Sequence, residues 1–113
     1  MTLLVVYCHP DPDSFNAAIH RAAVDALRVA GHELREIDLY AEGFDPVFTR
    51  AEKASYLADT AHNIAGVQSH VDALRWAEGW VAIYPTWYYG LPAMLKGWLD
   101  RVWLPGVAFR IAS

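Results

Sequence analysis

A chain of 113 residues is long enough for one small domain and too short for two, and 55% hydrophobic residues are enough to form a core. With 13 acidic against 9 basic residues, a net charge of −4 and no Lys/Arg cluster, the composition excludes the basic face of a nucleic-acid binder. No apolar run approaches the ~20 residues that cross a bilayer. The single cysteine, Cys8, excludes an internal disulfide, and no basic segment precedes the first apolar run, so a cytoplasmic location is expected.

Residues 3–7 are a continuous apolar run, the pattern of a strand buried on both faces in a parallel sheet. The turn-rich stretch His9-Pro10-Asp11-Pro12-Asp13-Ser14 follows, and Ser14 is a good N-cap for a helix. Apolar residues at Phe15, Ile19, Ala22, Ala23, Ala26, Leu27 and Ala30 are expected to form its buried face, with Gly31 as the stop. A second strand is expected over residues 33–38 and a loop over 40–50. Residues 52–76 read as helical, with a stripe at Ile64, Val67, Val71 and Leu74 and a break at Gly66. Residues 80–84 are a third, continuously apolar strand. The loop Pro85-Thr86-Trp87-Tyr88-Tyr89-Gly90-Leu91 comes next. Pro92 is expected at the first position of a helix that presents Met94, Leu95, Trp98, Leu99 and Val102 on one side.

This β-α-β-α-β-α order implies a parallel α/β sheet with right-handed crossovers. Ligands of such sheets sit at the carboxyl ends of the strands, where strand order reverses. With the order 2-1-3, the loops after strands one and three are neighbours. The first leads into a helix N-terminus that suits an anion, although Asp11 and Asp13 are expected to face solvent or cap the helix. It is neither a Gly-rich dinucleotide fingerprint nor a Walker loop. The second loop is dense in aromatic rings and suits a flat conjugated ligand. An anion-friendly helix start beside an aromatic shelf is what a flavin nucleotide requires.

Plainer roles stand beside these. His9 could close the turn and Ser14 could serve only as a cap. Trp98 and Trp103 suit a core or interface, Cys8 a buried hydrophobe, and Lys96, Asp100 and Arg101 a solvated or interface face. His20, His32, His62 and His70 show no metal-ligand spacing.

The stretch His9-Pro10-x-Pro12-x-Ser14-Phe15-Asn16-x-Ala18 resembles the phosphate loop of NAD(P)H:quinone oxidoreductases of the flavodoxin-like superfamily. The run from Tyr84 to Val102, YPTWYYGLPAMLKGWLDRV, resembles that family's isoalloxazine loop and following helix, and Asp38-Leu39-Tyr40 and Phe44-x-Pro46 fit its second-strand region. The resemblance covers essentially the whole chain. It implies a flavodoxin-like three-layer α/β/α fold. It also implies FAD as cofactor, with FMN as second choice, NAD(P)H as co-substrate, a quinone as acceptor and a homodimer. His9, Ser14, Phe15, Asn16 and Ala18 would contact the phosphate and ribityl or adenine side of the flavin. Pro85, Thr86, Trp87, Tyr88, Tyr89 and Gly90 would line the isoalloxazine ring. No side chain need be an acid or base, because the flavin carries the chemistry. Family members continue through two more strands, so residues 1–113 are expected to be the N-terminal part of a single domain with strands four and five missing. Two other readings stay open. One is a flavin-fold regulatory subunit of a potassium efflux system. The other is an inactive truncated remnant.

Overall fold

The computed structural model describes residues 1–111; Ala112 and Ser113 lie outside the described residues. Three parallel strands, β1 (Thr2–Tyr7), β2 (Glu33–Asp38) and β3 (Gly79–Ile83), form a sheet in the order β2-β1-β3. β1 pairs on both sides, Val5 lying opposite Glu36 on β2 and Val81 on β3. That central position explains its unbroken Val/Leu run, since both faces are covered.

Helices lie on the two faces. α1 (Phe15–Val29) packs on Val5, Tyr7 and Ile83, through Ala17 and Val24. α4 (Gln68–Trp76) and α5 (Ala93–Val102) cover the other face, where Leu4, Val6 and Cys8 meet Val71, Leu95, Trp98 and Val102. This is the α/β/α layering and strand order that the sequence pattern implies.

Ser14 caps α1 as expected, its hydroxyl accepting the amide of Ala17 at 3.0 Å. Gly31 follows at φ 90°, a conformation only glycine adopts without cost. The expected buried face of α1 is corrected, however. Ala23 and Leu27 are partly buried, but Phe15 is 80% exposed, Ile19 is 42% exposed, and Ala22, Ala26 and Ala30 face outward. The buried side is set by Ala17 and Val24 instead, and His20 and Arg28 both reach Glu36 on β2, at 3.1 and 3.0 Å.

The stretch 52–76 is three helices rather than one or two: α2 (Arg50–Ser55), α3 (Thr60–Gly66) and α4. Gly66 ends α3, as its residue type suggests. The additional break between α2 and α3 comes from Asp59, which caps α3 by accepting the amide of His62. Thr49 and Glu52 form a reciprocal capping box at the start of α2. Pro92 precedes the first turn of α5 as its N-cap instead of lying inside it.

α5 is held against the loop before α2. A methyl group at Gly97 would overlap the carbonyl oxygen and Cβ of Pro46, so only glycine lets the two backbones come this close. Arg101 is not a solvated residue. Its Nε donates to Glu52 at 2.9 Å and its Nη1 to the Asp45 carbonyl at 2.8 Å, with both charged side chains under a fifth exposed (17% and 16%). Lys96 and Asp100 do form the expected exposed pair.

Candidate functional site

The β1–α1 loop and the β3–α5 loop leave the sheet side by side, because β1 and β3 are paired through to Tyr7 and Ile83. The imidazole of His9 meets the Trp87 ring edge-on, with centroids 5.7 Å apart. This contact joins the two loops.

Local hydrogen bonds set what each loop presents. His9 closes its turn by accepting the Asp11 amide at Nδ1, 3.0 Å away. That bond leaves the ring proton on Nε2, a donor available to a ligand. Asp11 in turn accepts the Asp13 amide at 2.9 Å, and both carboxylates are exposed. Ser14 Oγ accepts the Ala17 amide, while the Phe15 and Asn16 amides have no acceptor among the described residues. Those two amides and the positive end of a 15-residue helix suit an anion.

The second loop is a tight turn. Trp87 and Gly90 exchange both backbone hydrogen bonds at 3.2 Å, and the residues between them, Tyr88 and Tyr89, lie at φ 50° and 65°. Two positive φ values at the centre of such a turn mark type I′, where Asn and Gly are the ordinary occupants. Two tyrosines here cost about 1–2 kcal/mol each. Their rings are 97% exposed and 5.9 Å apart. The fold therefore holds a strained pair of aromatic rings out at the carboxyl edge of the sheet. Packing gives no account of that placement, because the rings bury nothing.

The residues expected to bind a ligand are brought together unevenly. His9 and Trp87 touch, and Ser14, Phe15 and Asn16 form the adjoining helix start. Asn16 is half-buried, Phe15 and Ala18 are exposed, and Pro85 is half-buried behind the exposed Thr86. A cavity of about 340 Å³ borders His9 but opens toward β2, lined by Tyr7, Pro10, Asp38 and Tyr40. It does not include the aromatic turn. Cys8 is fully buried and its thiol is pushed up to about 11 by that burial, so it is a packing residue. No group of residues that could hold a metal occurs among the described residues. Among them, too, no helix is long and apolar enough to cross a membrane.

Sequence reasoning missed a chain of polar contacts that enters the core. The indole of Trp98 donates to His70 Nδ1 at 3.0 Å, and His70 Nε2 lies 2.6 Å from Glu42. Nothing in the spacing of residues 42, 70 and 98 signals this contact, since the three belong to different elements.

A parallel α/β sheet with an anion-suited helix start beside an aromatic turn has the layout of a doubly wound fold, whose ligands sit at the carboxyl edge of the strands. Over residues 1–113 the chain matches the model of a family described as having a flavodoxin-like fold, and it belongs to that family. It is 32% identical to NAD(P)H dehydrogenase (quinone) 1 of Rattus norvegicus over 125 residues, covering 97% of this chain and 46% of the relative. It is also 32% identical to ribosyldihydronicotinamide dehydrogenase (quinone) of Homo sapiens, covering 96% and 54% of the two chains. The chain thus spans about half the length of the curated relatives it matches. Among solved structures, the NAD(P)H:quinone oxidoreductase from Methanothermobacter marburgensis superposes with a TM-score of 0.85 at 29% identity, over 100% of this chain and 58% of its own. Smu.1420 from Streptococcus mutans UA159 superposes with a TM-score of 0.83 at 36% identity, over 99% and 58%.

Proposed function

We propose that this chain carries the flavin-binding part of an NAD(P)H-dependent quinone reductase, with FAD as the flavin and FMN as the second choice. One observation carries the reading: the open N-terminus of α1 and the strained aromatic turn meet through His9 and Trp87 at the carboxyl edge of the sheet. The names of the relatives supply the nicotinamide donor and the quinone acceptor. A cytoplasmic location and a homodimer belong to the same reading.

The residues present fit a flavin. The Phe15 and Asn16 amides and the His9 Nε2–H offer donors to phosphate or ribityl oxygens. Trp87, Tyr88 and Tyr89 offer a flat aromatic surface. The amides of Tyr88 and Tyr89, unpaired among the described residues, offer donors to the polar edge of a ring system. A bound flavin would supply two-electron hydride chemistry between a nicotinamide and a quinone. The chain's own part is to hold and orient it. Fixing two tyrosines in the left-handed region before any ligand arrives lowers the ordering cost of binding.

The test is titration of the purified chain with FAD and, separately, FMN, read by quenching of flavin fluorescence. Saturable binding is expected, tighter for FAD, and weakened at least tenfold by Trp87→Ala and by Tyr89→Ala. A chain that is folded by circular dichroism but leaves flavin fluorescence unchanged well above micromolar concentrations would overturn the reading.

A further inference from the structure

The cavity of about 340 Å³ on the β2 side of His9 is built entirely by residues 7–41, from the ends of β1 and β2 and the loops that follow them. Tyr7 and Asp38, the last residues of the two strands, are register partners, so their side chains leave the same face of the sheet. Tyr7 is 5% exposed, and its hydroxyl is buried with no hydrogen-bond partner among the described residues. The ring is held from swinging out to water, because it stacks on His20 with centroids 4.2 Å apart and His20 is tied to Glu36 at 3.1 Å. Buried hydroxyls are ordinarily satisfied, so this one marks a place for a polar partner from outside the chain. The β1–α1 loop supplies a rigid wall: Pro10 and Pro12 fix two φ angles, and the amides of Asp11 and Asp13 are tied down at 3.0 and 2.9 Å. Asp38 Oδ1 accepts the Ala41 amide at 3.0 Å, which leaves Oδ2 to a ligand.

We infer that this cavity is a second ligand site, for a small primary ammonium on a short apolar stem. It does not rest on the flavin reading: the cavity lies on the β2 side of β1, the aromatic turn on the β3 side. Asp38 is the one acid in its lining, and no Lys or Arg lines it. Asp11 and Asp13 stand exposed on the same loop, and the chain carries a net charge of −4, so an anion is repelled. An ammonium brings three N–H donors and no acceptor. One makes a charge-assisted bond to Asp38 Oδ2, a second reaches the Tyr7 hydroxyl oxygen, and the third stays with solvent. Pro10, Pro12 and Ala41 offer the apolar surface for the stem. The volume sits at the lower end of the ~300–1,000 Å³ of small-molecule pockets, and carboxyl ends of parallel strands are where such sheets take ligands. A neutral molecule or water would satisfy the hydroxyl but leave the carboxylate without a counter-charge.

Benzylammonium is the probe and benzyl alcohol its neutral control, each titrated into the 113-residue chain at ~0.15 M salt and followed by amide chemical shifts. Saturable shifts are expected at His9, Asp11 and residues 38–41, with the ammonium bound at least tenfold tighter than the alcohol. Asp38→Asn keeps an acceptor for the Ala41 amide and should weaken the ammonium at least tenfold while leaving the alcohol unchanged. Tyr7→Phe should weaken it roughly three- to tenfold. The urea midpoint of that variant without ligand should stay the same or rise, because the lost hydroxyl has no protein partner. No binding, equal binding of the two probes, or shifts spread over the acidic surface and indifferent to Asp38→Asn would overturn the proposal. So would displacement of the probe by FAD, which would make the cavity part of the flavin site, or a lower urea midpoint in Tyr7→Phe, which would give the hydroxyl a structural role. If Asp38→Asn does not fold, the comparison of the two probes on the parent chain decides.

Discussion

The Trp98 indole donates to Nδ1 of His70 across 3.0 Å of buried core, and this fixes the imidazole as the neutral Nε2–H tautomer, which donates to Glu42. Protonating Nδ1 would set two donors against each other. Burial pushes the His70 pKa down, Glu42 opposes this, and the positive Arg101 adds to the lowering. The folded protein therefore binds fewer protons at this site than the unfolded chain, whose histidines titrate near ~6.5. Stability from His70 is full above that value and is lost as the pH falls below it. Urea midpoints measured between pH 5 and 7 should rise with pH. The rise should flatten in Trp98→Phe, which frees Nδ1 to accept a proton. An equally steep dependence in that variant would show that another group titrates.

Gly97→Ala should be strongly destabilising. The added methyl would overlap the backbone of Pro46, which cannot rotate away as a side-chain tip could. A loss of about 1–3 kcal/mol or more in denaturant unfolding is expected. A loss within ~0.5 kcal/mol, the range of an ordinary surface change, would mean that the loop through Pro46 moves freely.

Arg101→Lys should cost about 1–3 kcal/mol, because a point ammonium cannot hold Glu52 and the Asp45 carbonyl together. Glu52 also gives an acid limb. Burial raises its pKa, but hydrogen bonds from Arg101 and Thr49 and the charge of Arg101 outweigh this, leaving it below the usual carboxylate value. Its contribution is present above ~4.3 and is lost as the pH falls through the depressed value. Acid unfolding of Arg101→Lys, followed by circular dichroism, should begin at a higher pH than in the parent.

Tyr89→Gly should stabilise the chain while weakening flavin binding. Glycine at φ 65° removes about 1 kcal/mol of backbone strain, and the lost ring buries nothing, being 97% exposed. Thermal unfolding and a flavin titration of the same variant check both halves. A less stable variant would place the tyrosine in a structural role.

Much of this was legible in the sequence, for identifiable reasons. The continuous apolar runs of β1, buried on both faces, and of β3, partly buried with Ile83 fully so, announce themselves by composition alone. Ser14 and Gly31 act through local backbone geometry, which needs no tertiary information. The aromatic turn stood out because three consecutive large rings between Pro85 and Gly90 are unusual in a loop at a strand end. What stayed hidden depends on partners far away in the chain. The buried side of α1 is set by Ala17 and Val24 against Val5, Tyr7 and Ile83, so apolar spacing misassigned Ile19, Ala22 and Ala26 to the core. Arg101 reads as surface until Glu52 and Asp45 are brought to it, 49 and 56 residues away in sequence. The positive φ of Tyr88 and Tyr89 runs against residue propensity, so no local rule finds it.

The tryptophans packed between β3 and α5 make the protein its own optical reporter. Trp80 lies 5.6 Å from Trp98 and 5.3 Å from Trp103, ring centre to ring centre, across the seam between sheet and helix. Rings that close couple electronically, so the near-ultraviolet dichroism of the trio tracks whether α5 is seated on the sheet. Trp87 stands apart, 44% exposed, and an indole in contact with water is expected to emit further to the red than a buried one. A ligand arriving at the aromatic turn and a helix leaving the core thus change different parts of one spectrum, and the two events can be followed separately without any added label.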